Sequence, residues 1–324
     1  MNYSINSTKD YHIKHMNTLG WELTVCNALY REDTPIRKIL DRNDSFGHLL
    51  YDYLRVCLPM NNVKKVVEIG GGYGYLMKDF MDKNSAIESL MIDISPFLLK
   101  KQEEILSGYK VLLRQEDFLE TDPDLLSGVD LAIMNENLGD FPTIVKISQK
   151  IFKATSTDAI DSHEKEVVNL FERYGFKKPF EGFFNFNMGA ILAVEKLCSS
   201  GIPYIYIGEH SCEAQVPDMF KHFVSIESSG NPEKISLMGH NEYTIKFSFI
   251  EQVAKKHGYT SIRGNFIDFI KINITEDLLF AMLSKGRLSD DGEMICQFVE
   301  DLFKYEYLIS VSYTHLTLPT IYSV

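Results

Sequence analysis

Residues 63–76 read VKKVVEIGGGYGYL, and the switch from branched apolar residues to glycines decides how the chain folds. Val66 to Ile69 have the composition of a short buried strand, and YLMKDFMDK (75–83) has helical apolar spacing. Gly70, Gly72 and Gly74 form G-x-G-x-G between them. A strand that hands over to a helix through glycines lets the backbone approach a ligand at the helix N-terminus. The dinucleotide pattern G-x-G-x-x-G would need glycine at Tyr75 or Met77, and the G-K-[ST] of a phosphate-binding P-loop is absent.

The same alternation continues outward. ESLMIDI (88–94), YKVLL (109–113) and DLAIMN (130–135) read as further strands, with PFLLKKQEEILSG (96–108) as a helix that has Pro96 near its start. IPYIYIGE (202–209) reads as strand five, SFIEQVAKKHG (248–258) as a helix, and SIRGNFIDFIKI (261–272) as a closing strand pair. Strands alternating with helices predict an α/β fold, a parallel sheet with helices on both faces. Residues 1–60 read as a helical N-terminal extension, 61–285 as the main domain, and 143–198 as an inserted helical cap carrying the aromatic run KKPFEGFFNFN. Residues 286–310 read as a C-terminal helix. SYTHLTLPT (312–320) resembles a translated sequencing adapter, so residues 311–324 are set aside as non-native.

Three acids fall at the ends of the first three strands: Glu68, Asp93 and Asp117. The carboxyl edge of an open α/β sheet is where such folds bind ligands. A carboxylate at Glu68 would repel a pyrophosphate but attract an ammonium or a sulfonium. S-adenosylmethionine carries both cations, and its own carboxylate suits a positive helix end. Asp93 is placed to accept from ribose hydroxyls, and Asp117 from an adenine amino group with Phe118 stacked on the ring.

Composition narrows the class. The 324 residues carry a net charge of −12, which argues against a nucleic-acid-coating surface. Five scattered cysteines without a C-x-x-C pair form neither a disulfide framework nor a zinc site. The chain lacks an apolar run of membrane-spanning length and an apolar leader at its start, so a cytoplasmic protein without membrane or nucleic-acid partners is expected. In IGEHSCEA (207–214) only His210 and Cys212 are good soft or borderline ligands, too few for a metal, so no metal site is expected. His210 at this strand end is a candidate general base.

Together these residues resemble the class I S-adenosylmethionine-dependent methyltransferases, and most closely the MidA-like family. That family's E-[LI]-G-P-G-x-G-x-L-[MA]-x-D motif matches Glu68 to Asp79, with Gly71 in place of proline. Its S-P-x-L-x-x-x-Q segment matches Ser95 through Gln102, which adds Ser95 to the expected cofactor contacts. Its N-E-F-F-D-A-L-P motif aligns with Asn135 to Pro142, with the acid displaced to Asp140. The I-D-Y-G that follows strand five in the family is replaced here by IGEHSCEA.

The resemblance implies a seven-stranded Rossmann-like sheet, S-adenosylmethionine as cofactor, and methyl transfer by direct displacement to a protein side chain such as arginine. Within it Asn135 is expected to face the cofactor. Glu136, with Asp140 second, is expected to grip and orient a guanidinium. A small-molecule acceptor, or a non-catalytic assembly factor that binds the same cofactor, are the alternatives.

Overall fold

The computed structural model describes residues 3–19, 24–153, 160–180, 182–287 and 289–315. Seven strands form the central sheet: β1 (Lys65–Ile69), β2 (Glu88–Asp93), β3 (Val111–Gln115), β4 (Leu131–Asn135), β5 (Tyr204–His210), β6 (Tyr259–Asn265) and β7 (Tyr305–Ser312). Their order is β3-β2-β1-β4-β5-β7-β6. β1 to β5 pair in parallel, and β7 runs antiparallel to both β5 and β6. The expected α/β class and sheet therefore stand.

Alternation along the strands assigns each face. Val66, Met91, Ile133, Tyr206 and Ile309 point to one core, which contains the helices Phe46–Cys57, Tyr75–Lys83 and Asp290–Lys304. Val67, Ile92, Ala132, Met134, Ile207 and Leu308 point to the other, under Met188–Ser199 and Phe247–Lys256. A strand covered on both faces is apolar along its buried run, as β4 is from Leu131 to Met134.

Four sequence expectations change. SIRGNFIDFIKI is not a strand pair: β6 ends at Asn265, and Phe266–Asp268 is a 3₁₀ turn whose Phe266 and Ile267 enter the core. Nor is 286–310 one helix, because the helix stops at Lys304 and the chain passes directly into β7. Val311 and Ser312 then complete β7 against Thr260 and Tyr259, so the segment set aside begins inside the sheet. Residues 316–324 lie outside the described part.

The inserted region is only partly helical. Thr143–Ser148 pairs with Ser4–Asn6 on one side and Phe183–Phe186 on the other, forming a small antiparallel sheet. Met188–Ser199 belongs to the main domain, since Ala190, Ile191, Ala193, Val194 and Leu197 are buried in the second core. This helix is the crossover between the parallel strands β4 and β5.

Candidate functional site

A cleft of about 550 Å³ opens at the carboxyl ends of β1 to β5, a volume suited to a cofactor with a small acceptor. Its floor is the glycine loop. Gly70, Gly72 and Gly74 have φ of 63°, 53° and 88°, the left-handed region that favours glycine. Gly74 sits one step back, as the N-cap of the following helix packed against Gln102, and is not on the cleft wall. A side chain at Gly70 would collide with Asn137, whose amide donates to the Ile69 carbonyl.

Glu68 lies under this loop, 2% exposed, with Oε2 lacking any hydrogen-bond partner among the described residues. Burial, with Asp93 nearby, pushes its carboxyl well above the ordinary range. Such a group is stabilised by an incoming cation or donor. Asp93 is better supported: Oδ1 accepts from Ser95 N at 2.9 Å and Oδ2 from Gln102 Nε2 at 2.9 Å, and burial lifts its pKa to about 6. Gln102 also donates to the Gly72 carbonyl at 3.0 Å, tying the acid to the glycine loop. Ser95 is fully buried and outside the cleft, capping the helix that begins at Pro96 and donating its amide to Asp93. Its place is therefore behind Asp93 and not against a ligand.

Asp117 and Phe118 line the cleft, but Asp117 already pairs with Lys9 Nζ at 2.7 Å. Lys196 fixes the Phe118 turn by donating to the carbonyls of Phe118, Leu119 and Thr121 at 2.9, 2.8 and 2.7 Å. Asn135 ends β4, donating to Glu136 Oε1 at 3.0 Å and accepting from Tyr206 at 3.3 Å.

Glu136 lines the cleft in a left-handed conformation, φ 54°, that is uncommon for a residue with a side chain. Its carboxylate accepts from the backbone amides of Val25 at 2.8 Å and Cys26 at 3.0 Å. Those are the opening amides of the short helix Val25–Ala28. The sequence reading gave both oxygens to a substrate; here they also hold the N-terminal extension across the cleft. Burial lifts Glu136 to about 7. Asp140 also lines the cleft and meets His12 Nε2 at 3.0 Å. His210 lies on the wall, held neutral by burial and by Lys304 with a pKa of about 4, which makes it a weak base.

Neither a protein-family model nor a curated protein sequence matches this chain. Solved structures do match. A COG1565 superfamily protein from Burkholderia thailandensis superposes with a TM-score of 0.53 at 13% identity, over 96% of this chain and 87% of that one. A COG1565 superfamily member and likely methyl transferase from the same organism, bound to S-adenosylhomocysteine, gives 0.45 at 13% identity over 82% and 76%. A S-adenosylmethionine-dependent methyltransferase from Clostridium acetobutylicum gives 0.42 at 10% over 83% and 93%. The fold is that of the first of these, the COG1565 superfamily protein.

Sequence reasoning missed the residues that cover the cleft. Lys9, His12 and Leu19 come from the N-terminal extension, with the Leu19 amide donating to Tyr73 Oη at 2.9 Å, and Glu242 comes from the hairpin Lys234–Tyr243. Nothing in local spacing marks them; long-range contacts carry this segment to the cleft, among them the pairing of Ser4–Asn6 with Thr143–Val145 and the Thr8 hydroxyl donating to the Asp140 carbonyl. Glu209 was noticed only as one of a cluster. It is 4% exposed, accepts from His210 N at 2.7 Å and Gly139 N at 3.1 Å, and burial raises its pKa to about 8.

A pH dependence follows. Glu209 titrates near 4.5 when unfolded and near 8 when folded, so between those values the folded chain binds more protons. Its contribution is intact below about pH 4.5 and is lost as pH rises through 8. Ligand-free Glu209→Gln should lose less stability than wild type between pH 6 and 8, flattening the slope by up to about 1.4 kcal/mol per pH unit. Urea melts at several pH values measure this, and identical slopes would refute it.

Proposed function

We propose that this chain binds S-adenosylmethionine in the cleft and transfers its methyl group to a nitrogen of a protein side chain, arginine being the acceptor class that fits best. Glu68 carries this reading: a buried carboxyl group whose Oε2 has no hydrogen-bond partner among the described residues, beneath three left-handed glycines, would ionise beside a cationic cofactor and would gain nothing from a pyrophosphate. Gly72 and Asp93 would border the cofactor's amino acid and ribose, and Phe118 its adenine. The Lys9–Asp117 ion pair would open or shift for Asp117 to reach that ring.

The cofactor supplies an electrophilic methyl on a positive sulfur. An acceptor nitrogen attacks the methyl carbon opposite the sulfur, the C–S bond breaks to leave a neutral thioether, and the nitrogen sheds a proton. The protein's part is orientation and proton acceptance. Glu136, near pKa 7 on the wall beside Asn135, is matched to taking that proton near neutrality. The acceptor class rests on the lining: ten acidic residues against three lysines, several of the acids lifted toward or above neutrality by burial and so able to ionise beside an incoming guanidinium.

Calorimetry should give one S-adenosylhomocysteine per chain, whereas binding of NAD without it would defeat the cofactor reading. With methyl-labelled cofactor and lysate, label should reach a protein band as methylarginine. Label in a small molecule would replace the acceptor class and leave the cofactor reading intact.

A further inference from the structure

Outside the groups assigned to the cofactor, one cluster joins three distant segments at the mouth of the cleft. His12 comes from the helix Lys9–Lys14, Asp140 from the 3₁₀ turn Leu138–Asp140, and His240 from the turn of the hairpin Lys234–Tyr243. His12 Nε2 lies 3.0 Å from Asp140 Oδ1, and His240 Nε2 lies 3.9 Å from the same oxygen. One ligand atom from each of the three lies within 4.8 Å of the others. Glu242 Oε1 is 3.1 Å from His240 Nε2. With bonds of about 2.1 Å, tetrahedral ligands sit about 3.4 Å apart, so a small contraction would centre an ion among them.

We propose that His12, Asp140 and His240 form a site for one zinc-class divalent cation that fastens the N-terminal segment over the cleft.

The chemistry of the donors selects the ion. Two imidazole nitrogens with carboxylate oxygens suit Zn²⁺ or Co²⁺, whereas Mg²⁺ and Ca²⁺ prefer oxygen shells. The imidazoles are also held in place. Tyr11 stacks on the His240 ring at 4.2 Å, and the rings of His12 and His240 meet edge to face at 5.5 Å. His240 is buried, 3% exposed at the side chain. The second histidine–acid group, His48 with Asp79 and Asp82, joins the neighbouring helices Phe46–Cys57 and Tyr75–Lys83 and does not line this cleft. It serves as the internal control.

The site is independent of the cofactor reading, because it is tested with metal alone. The full-length chain, stripped with a chelator, should bind one Co²⁺ with visible bands typical of imidazole ligation. Zn²⁺ should displace it, and a large excess of Mg²⁺ should not. His12→Ala and His240→Gln should each weaken Zn²⁺ binding at least tenfold, as should the near-isosteric Asp140→Asn, with unchanged circular dichroism. His48→Ala should leave it unchanged. Amide exchange across residues 9–14 should slow on adding Zn²⁺. The proposal fails if no stoichiometric metal binds at micromolar protein, if binding survives in the folded His12 and Asp140 variants, or if His48→Ala abolishes it.

Discussion

Gly72→Arg is expected to lower S-adenosylhomocysteine affinity at least 100-fold while the chain still folds. Gly72 is the loop glycine where a side chain tests the ligand and not the scaffold. Among the described residues a Cβ there would meet Leu19 alone, at 3.6 Å, so the arginine would extend into the space assigned to the cofactor. At Gly70 the same change would strike Asn137 at 2.6 Å and confound folding with binding. The backbone cost of a left-handed side chain at φ 53° is about 1–2 kcal/mol, and a 100-fold loss of affinity is about 2.7 kcal/mol. Gly201→Arg separates the two effects, since its φ is 71° and no described residue would lie within 4 Å of its Cβ. Calorimetry with thermal melts should find both variants folded and only Gly72→Arg unable to bind. Retained affinity in Gly72→Arg, or equal loss in both, would remove the glycine loop from the ligand site.

The parts of the molecule that sequence exposed are those where local chemistry and tertiary role coincide. β1, β2, β4 and β5 are short, mostly apolar runs closed by glycines or polar residues, and burial on both faces produces that pattern, whereas the edge strand β3 has no buried residue. Glu68 and Asp93 were legible because strand ends at this edge can only face the cleft. Glu136 was legible as a cleft residue but not as the cap of Val25–Ala28, since its two amide partners lie 111 and 110 residues earlier. His12 and Lys9 were invisible for the same reason: a six-residue polar helix has no periodic signature of what it will cover. The end of the helix Asp290–Lys304 was hidden differently. Tyr305 follows Lys304 without glycine or proline, so no turn residue announces that YEYLISVS is a strand.

That strand makes the largest stability prediction. A chain ending at Lys304 should fail to fold, whereas one ending at Ser312 should melt cooperatively. β7 is an interior strand: Tyr305 to Val311 pair with β5 from His210 to Tyr204, and Glu306 to Ser312 pair with β6 from Asn265 to Tyr259. Removing it leaves two unpaired edges inside one sheet, where backbone groups have no other partners. Tyr307, Leu308 and Ile309 are 2%, 0% and 0% exposed, and losing each costs about 1.5–3 kcal/mol of apolar burial. Arg263 would also lose both hydrogen bonds to Glu306, at 2.9 and 2.6 Å, leaving a half-buried guanidinium with one fewer counter-charge. These losses together match or exceed the 5–15 kcal/mol that holds a typical domain folded. The cleft would go as well, because Tyr305 lines it and pairs with His210. Circular dichroism and size exclusion of the two truncations decide the matter: a 1–304 chain that melts cooperatively would mean the sheet closes without its seventh strand.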